Sequence, residues 1–260
     1  MKEEAMLVRR KQNILVRIAL LGLLSGSLAG CVTESTGGKT LPAPDAERVS
    51  AQLDLARAYL ERRDWTRAKA PLGRALDIDS NSVEANVLSA VLFTEENEPE
   101  LAEKHYRKAL SVAPDNAQTL NNYASFLYAQ ARYEDALIPL KTLVSNTRYR
   151  ARPQVFESLG LAQLQAGDRT SAESALRRAL QLNPRLPRSN LELAEIEFAG
   201  GDIAAAQTYF VFFTRLSRPN PRNLCLGIKL AKAQNNSDQE ASLSFALKNL
   251  FPDAVEQCQT

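Results

Sequence analysis

The chain has 260 residues, of which 24 % are charged, and its formal net charge is +2 at pH 7. This balance argues against a dedicated nucleic-acid-binding protein, which would carry a clear basic excess. One histidine and three cysteines provide few groups from which a metal site or a nucleophile with its base could be assembled. We therefore expect a protein without catalytic residues, metal or cofactor, and without a nucleic-acid or small-molecule partner.

The first 30 residues have the three-part pattern of a secretory signal. Basic residues precede an uncharged run from Ile18 to Leu28, and small residues follow it. The run is too short to span a membrane, since about 20 apolar residues are needed to cross the hydrocarbon core. Residues 1–30 are thus predicted to be a signal peptide, with either Met1 or Met6 as its first residue.

The end of this signal, Leu28-Ala29-Gly30-Cys31, resembles a bacterial lipobox. The resemblance implies that Cys31 is acylated and becomes the first residue of the mature chain, which several acyl chains anchor durably in a membrane. An ordinary signal cut elsewhere would instead leave Cys31 as a plain thiol. Val32 resembles the pattern of lipoproteins that are sent to the outer membrane. Residues 31–47 contain few apolar side chains and are predicted to form a flexible linker.

Residues 48–254 contain an internal repeat. Alanines recur 34, 34, 36 and 34 residues apart, each preceded by a small residue twelve positions earlier and followed by a bulky residue four positions later. The recurring alanines are Ala68, Ala102, Ala136, Ala172 and Ala206. The preceding small residues are Ala56, Ala90, Ala124, Gly160 and Ala194. This period and pattern are typical of tetratricopeptide repeats, in which each unit is a pair of antiparallel helices.

The spacing has a physical reason, because small side chains allow the two helices of a repeat to cross at about 8–10 Å. Pro114 and Pro184 are placed to end second helices, and no alternation typical of strands is present. The sequence therefore predicts an all-α, right-handed superhelix of about six repeats, with a C-terminal tail at 255–260. The repeats are predicted near 49–82, 83–116, 117–150, 153–186, 187–220 and 221–254.

The first helices of such a superhelix line its concave wall, and their fifth, ninth and twelfth positions are mostly apolar in this chain. Twelve residues are predicted to bind a partner: Leu53, Arg57, Leu60, Val87, Val91, Asn121, Ser125, Tyr128, Leu161, Leu164, Leu191 and Phe198. An apolar stripe of this kind favours an amphipathic helix or an extended segment of another protein. The alternative is that some of these residues pack between neighbouring repeats.

Three further features of the sequence bear on function. His105 is predicted to be a solvated helix residue. The loop from Arg148 to Arg152 has arginines that can bind carboxylates or phosphates, although most basic loops are simply solvated. Cys225 and Cys258 can form a disulfide in an oxidising compartment or remain buried thiols, and the sequence leaves both possibilities open.

Several segments look familiar once the repeats are placed, among them TLNNYASFLYAQARYEDAL, VFESLGLAQLQAGDRTSAESALRRALQLNP and LGIKLAKAQNN. In order and spacing they resemble the type IV pilus biogenesis and stability lipoproteins of the PilF/PilW family, over roughly residues 48–254 together with the lipobox. The resemblance implies a six-repeat pilotin, which is a non-enzymatic lipoprotein on the periplasmic face of the outer membrane. It implies that secretin subunits are its partners, and that it promotes their localisation and multimerisation. The alternative function is a repeat scaffold that recruits cell-wall enzymes or outer-membrane assembly factors.

Overall fold

A computed structural model describes residues 44–258 of the chain, and this part forms twelve α-helices without a strand. The predicted signal peptide 1–30, the acylation site Cys31 and the linker as far as residue 43 lie outside the described residues. The helices are α1 (Asp45–Glu61), α2 (Trp65–Ile78), α3 (Val83–Glu95), α4 (Pro99–Val112), α5 (Ala117–Ala129), α6 (Tyr133–Ser145), α7 (Arg152–Gln165), α8 (Arg169–Leu182), α9 (Pro187–Gly200), α10 (Ile203–Thr214), α11 (Pro221–Ala233) and α12 (Ser237–Leu250). Two 3₁₀ turns, Pro252–Ala254 and Glu256–Cys258, follow α12.

The helices pack as six pairs, and the crossings of the first five pairs are lined by the small residues that recur in the sequence. Ala56, Ala90, Ala124 and Ala194 are buried at these crossings, as are the alanines that face them. The bulky residues one turn further along are also buried: Leu72, Tyr106, Leu140, Leu176 and Phe210. The predicted all-α superhelix of tetratricopeptide repeats is confirmed.

The turn within each pair contains one residue with a left-handed backbone conformation. In the fourth and fifth pairs this residue is glycine, Gly167 with φ of 83° and Gly201 with φ of 86°, which has no Cβ and adopts this conformation readily. The other four pairs use Arg63, Asn97, Ala131 and Asn235, with φ between 55° and 59°. In three turns an aspartate follows and its side chain accepts a hydrogen bond from the first turn of the second helix, which caps that helix.

The folded part is longer at both ends than the sequence predicted. Helix α1 begins at Asp45, so the predicted linker 31–47 ends at residue 44, because the carboxylates of Asp45 and Glu47 stabilise the first turn of that helix. The predicted tail 255–260 is also corrected, since Val255 packs in the last apolar cluster, whose buried residues are Leu224, Ile228, Leu247 and Ala254. A disulfide joins Cys225 in α11 to Cys258 in the second 3₁₀ turn, with 5.1 Å between the Cα atoms. Among the described residues, no helix is both long and apolar enough to span a membrane.

His105 is not the solvated residue that the sequence predicted. Its ring is half-buried and stacks on Phe93, with 5.5 Å between the ring centroids. Its Nδ1 lies 2.9 Å from Oδ1 of Asn86. The amide nitrogen of Asn86 donates to two backbone carbonyls, those of Ser80 and Ser82, so its oxygen must face the ring. Nδ1 of His105 therefore carries the proton and donates it to Asn86.

We predict that His105 makes the fold less stable in mild acid. Burial, assisted by the charge of Lys104, lowers the pKa of His105 below its ordinary value of 6.5. The unfolded chain therefore takes up this proton at a higher pH than the folded chain does, and the free energy of unfolding falls as the pH drops below about 6.5. Replacing His105 by phenylalanine keeps an aromatic ring against Phe93 but removes the titration. Urea unfolding between about pH 7 and about pH 5 should show a flatter dependence in His105→Phe than in the wild type.

Protonation of Glu103 should also lower the free energy of unfolding, but at a lower pH and equally in the wild type and in His105→Phe. A hydrogen bond from Arg132 lowers the pKa of Glu103 below its ordinary value of 4.5, so its contribution to stability is lost only as the pH falls further. The difference between wild type and His105→Phe thus isolates the histidine. Parallel pH curves for the two proteins would contradict the prediction.

Candidate partner-binding groove

The candidate site is the concave groove, defined as the wall formed by the first helices of the six pairs, α1, α3, α5, α7, α9 and α11. The twelve residues predicted from the sequence all lie on these helices, and the structure divides them by exposure. Arg57 and Ser125 are exposed. Six are half-buried: Leu60, Val91, Asn121, Tyr128, Leu164 and Phe198. Four are buried, with 5–7 % of their surface exposed: Leu53, Val87, Leu161 and Leu191. Packing between repeats therefore accounts for much of the apolar stripe.

In the middle of the groove the wall opens into a cleft of about 190 Å³, the central cleft. Its lining residues are Ala124, Ser125, Tyr128, Leu140, Ser158, Leu161 and Arg188. Ala124 and Leu140 are buried and form an apolar floor. A dry apolar cavity of about 150 Å³ can hold a benzene molecule. The central cleft can therefore accept one aromatic or branched aliphatic side chain of a partner.

The side wall of the central cleft is held by packing within the third pair. The ring of Tyr128, at the end of α5, packs edge-on against Tyr133 at the start of α6, with 5.1 Å between the centroids. Ser125 lies one turn earlier on α5, and its hydroxyl donates to the carbonyl of Asn121. Contacts within the third pair thus fix the side chains of Tyr128 and Ser125, so this wall of the cleft is formed before a partner binds.

The opposite rim is built by a contact between two repeats. The carboxylate of Glu157, on α7, accepts hydrogen bonds from the backbone N–H of Ser189 at 2.9 Å and from its hydroxyl at 2.6 Å. Ser189 lies in the first turn of α9, where backbone N–H groups have no partner within the helix. The residue before that helix, Leu186, offers no capping side chain, so Glu157 caps α9 from its neighbour and fixes the turn that carries Arg188.

A second opening of about 780 Å³, the C-terminal cleft, lies between α9 and α11. It is lined by Glu195, Phe198, Ala199, Asn220, Pro221, Arg222, Cys225, Leu226 and Lys229. Arg222 binds both oxygens of Glu192 at 3.0 and 2.7 Å and both oxygens of Glu195 at 2.8 and 2.6 Å. This fork-like contact joins the fifth and sixth pairs along the groove.

Comparisons with known proteins identify the family. Residues 53–110, 88–154 and 158–210 match the tetratricopeptide repeat family. The type IV pilus assembly protein PilF of Pseudomonas aeruginosa is 40 % identical over 243 residues, which are 93 % of this chain and 96 % of that protein. The chain belongs to the PilF/PilW family. It is a tetratricopeptide-repeat protein of type IV pilus biogenesis, as its resemblance to that family implied.

Solved structures of this family have the same architecture. A structure of Pseudomonas aeruginosa PilF superimposes with a TM-score of 0.75 at 38 % identity, covering 83 % of this chain and 98 % of that one. PilW, described as a widely conserved type IV pilus biogenesis factor, gives a TM-score of 0.68 at 25 % identity, covering 82 % and 98 %. YrrB, a tetratricopeptide-repeat protein with an unusual peptide-binding site, shares only the fold, with 16 % identity and a TM-score of 0.59 over 73 % of this chain and 98 % of that one.

Four lining residues of the central cleft in this family member are outside the predicted set, of which Ala124 and Leu140 belong to the packing of the third pair. Arg188 is the second residue of the fifth repeat and Ser158 the sixth of the fourth repeat, whereas the prediction covers only the fifth, ninth and twelfth positions. The second position of a first helix also faces the concave wall, so Arg188 had a signal in the repeat register. No such signal marks Ser158, because the sixth position of a repeat faces the groove only where neighbouring helices leave an opening.

Two other charged candidates, Arg57 and Arg152, have partners within the chain. Arg57, which was predicted to bind a partner, pairs with Asp54 at 2.9 Å and also with Glu84. In the basic loop, Arg152 donates to the carbonyl of Val144 at 2.8 Å and lies over the ring of Phe156. In residues 44–258, no group of three or more His, Cys, Asp and Glu side chains is placed to hold a metal ion.

Proposed function

We propose that this family member is an outer-membrane lipoprotein that binds secretin subunits of the type IV pilus, escorts them to the outer membrane and promotes their multimerisation. The observation that supports the proposal is the central cleft, an opening with an apolar floor in the middle of a groove that suits a helix or an extended segment of another protein. The action is binding without turnover. Membership of a family of pilus biogenesis factors supports the choice of a pilus protein as the client.

Anchoring supplies the rest of the mechanism. Acyl chains on Cys31 hold the chain at the periplasmic face of the outer membrane, and residues 32–44 allow the repeats to reach their client. Confining both proteins to one membrane raises their effective concentration, so a groove of moderate affinity is sufficient. The disulfide between Cys225 and Cys258 supports this location, because such bonds persist in oxidising compartments such as the periplasm.

We predict that a large side chain in the central cleft blocks the client. In Ser125→Trp the indole fills the opening from an exposed position, and co-purification of secretin with the protein should fall at least about tenfold, since one well-buried anchor contributes 2 kcal/mol or more. Ser111→Trp, on α4, is the matched control. Ser111 is also exposed and also donates its hydroxyl to a carbonyl of its own helix, but it does not line the cleft. If Ser125→Trp co-purified as much secretin as the wild type does, the proposal would be contradicted. Recovery of cell-wall enzymes instead of secretin would favour the alternative function.

The proposed acylation of Cys31 can be tested separately. Cys31→Ser removes the sulfur atom that would be acylated, so the protein should no longer incorporate radiolabelled palmitate and should leave the outer-membrane fraction. Cys258→Ser serves as the control for loss of a cysteine elsewhere, and it should remain labelled. Labelled, membrane-bound Cys31→Ser protein would show that Cys31 is not the anchor.

A further inference from the structure

We propose that the central cleft recognises a bulky apolar residue next to an aspartate or glutamate within the client segment, with the apolar side chain in the cleft and its neighbour's carboxylate on Arg188. The identity of the client rests on the function proposed above. The chemistry of the recognised pair rests on the lining of the cleft alone.

Arg188 is a cation at the rim of an apolar opening, and its one ionic contact within residues 44–258, with Glu192, is a long one. Its guanidinium Nε is 4.0 Å from the carboxylate of Glu192, which is beyond hydrogen-bond distance. Both oxygens of Glu192 are already bound by Arg222 at 3.0 and 2.7 Å. The side chain of Arg188 is 54 % exposed. Its planar donors are therefore accessible to a carboxylate from outside the chain, and arginine binds carboxylates with two parallel hydrogen bonds.

The surrounding acidic residues do not compete for this arginine. Glu157 is bound by the backbone and the hydroxyl of Ser189, and Glu195 is bound by Arg222. Arg188 itself lies in the first turn of α9, at the positive end of the helix dipole. Because Glu157 already caps this helix end, the group at the rim that can bind an anion is the guanidinium of Arg188 itself.

The apolar part of the recognised pair follows from the floor and the volume of the cleft. Leu161 and Leu140 provide apolar contact, and Tyr128 and Ser158 also line the opening. A space of about 190 Å³ suits one large side chain. Because the wall continues past the cleft as far as Phe198 in the C-terminal cleft, the segment runs on along the groove. An aspartate or glutamate side chain within the segment thus fits better than a chain terminus.

The test uses the full chain, purified from membranes in detergent, and two sets of peptides. One is an array of overlapping 15-residue peptides that cover the secretin subunit of the same organism, and the other is a random peptide-display library. Bound peptides should be enriched in a bulky apolar residue beside Asp or Glu. Arg188→Glu should bind them at least about tenfold more weakly, since the charge-assisted hydrogen bonds to the peptide carboxylate are lost and replaced by repulsion. Changing the acidic residue of the peptide to lysine should weaken binding to the wild type and restore binding to Arg188→Glu.

The control is Arg185→Glu, which makes the same charge change three residues away at an exposed position that does not line the cleft. It should bind like the wild type. Library peptides with the expected pair, but no bound secretin peptide, would support this inference and count against secretin as the client. Secretin peptides that bind equally well to wild type and Arg188→Glu would overturn the inference and leave the proposed function standing. Absence of any bound peptide in both sets would also overturn the inference.

Discussion

Replacing Gly160 by leucine is expected to destabilise the protein by about 3 kcal/mol or more, because the fourth pair has no room for a side chain at this crossing. Even a Cβ at Gly160 would lie 2.6 Å from Cγ of Leu176 and 3.1 Å from the carbonyl oxygen of Ala172. The helices of the fourth pair are held at a separation that only glycine permits. Urea unfolding followed by far-ultraviolet circular dichroism would measure the loss.

The same replacement at Gly73 is the control, because nothing lies within 4 Å of a Cβ built there. Gly73 lies within α2 and is exposed, so Gly73→Leu should stabilise the protein by up to about 1 kcal/mol through helix propensity. Leu176→Ala should reduce the additional cost of Gly160→Leu, since Leu176 is the side chain that clashes. Equal effects of the two glycine replacements would show that the crossing of α7 and α8 is less tightly packed than described.

Loss of the disulfide should weaken the C-terminal end by about 3–4 kcal/mol in the chain-entropy account, since the bond joins residues 33 apart in sequence. The last apolar cluster contains few buried residues, and Leu247 is the buried residue that α12 contributes to it. Without the bond between Cys225 and Cys258, we expect α12 and the 3₁₀ turns to open first. The double variant Cys225→Ser/Cys258→Ser, studied by hydrogen exchange, should lose protection over residues 237–258 before the other pairs do.

The single cysteine variants provide the internal control. Each breaks the same bond, so Cys258→Ser alone should cost about as much as the double variant, and a reducing agent should bring the wild type to the same stability. Additive losses from the two serine replacements would mean that the cysteines stabilise the fold by packing and not by a covalent link.

The sequence alone was sufficient for the architecture. A period of 34 residues with small residues at fixed positions predicts paired helices, because helix crossing and helix ending depend on local features such as Ala124 or Pro184 that recur in register. The sequence did not predict that four other turns adopt the left-handed backbone conformation of the glycine turns, namely those at Arg63, Asn97, Ala131 and Asn235. Asparagine adopts this conformation more readily than most residues, but arginine and alanine do not, so at Arg63 and Ala131 the packing of the two helices imposes it.

Only the tertiary structure decided which groove residues a partner can reach. Repeat position places Leu191 and Ser125 on the same wall, but Leu191 is buried in a cluster with Leu226 and Leu230 of the next repeat, whereas Ser125 is exposed. The tertiary structure also decided which charged side chains can bind a partner. Arg222 is hydrogen-bonded to Glu192, 30 residues away in sequence, whereas Arg188 remains accessible. Exposure and ion pairing depend on side chains brought together from different repeats, and a pattern within one repeat does not contain that information.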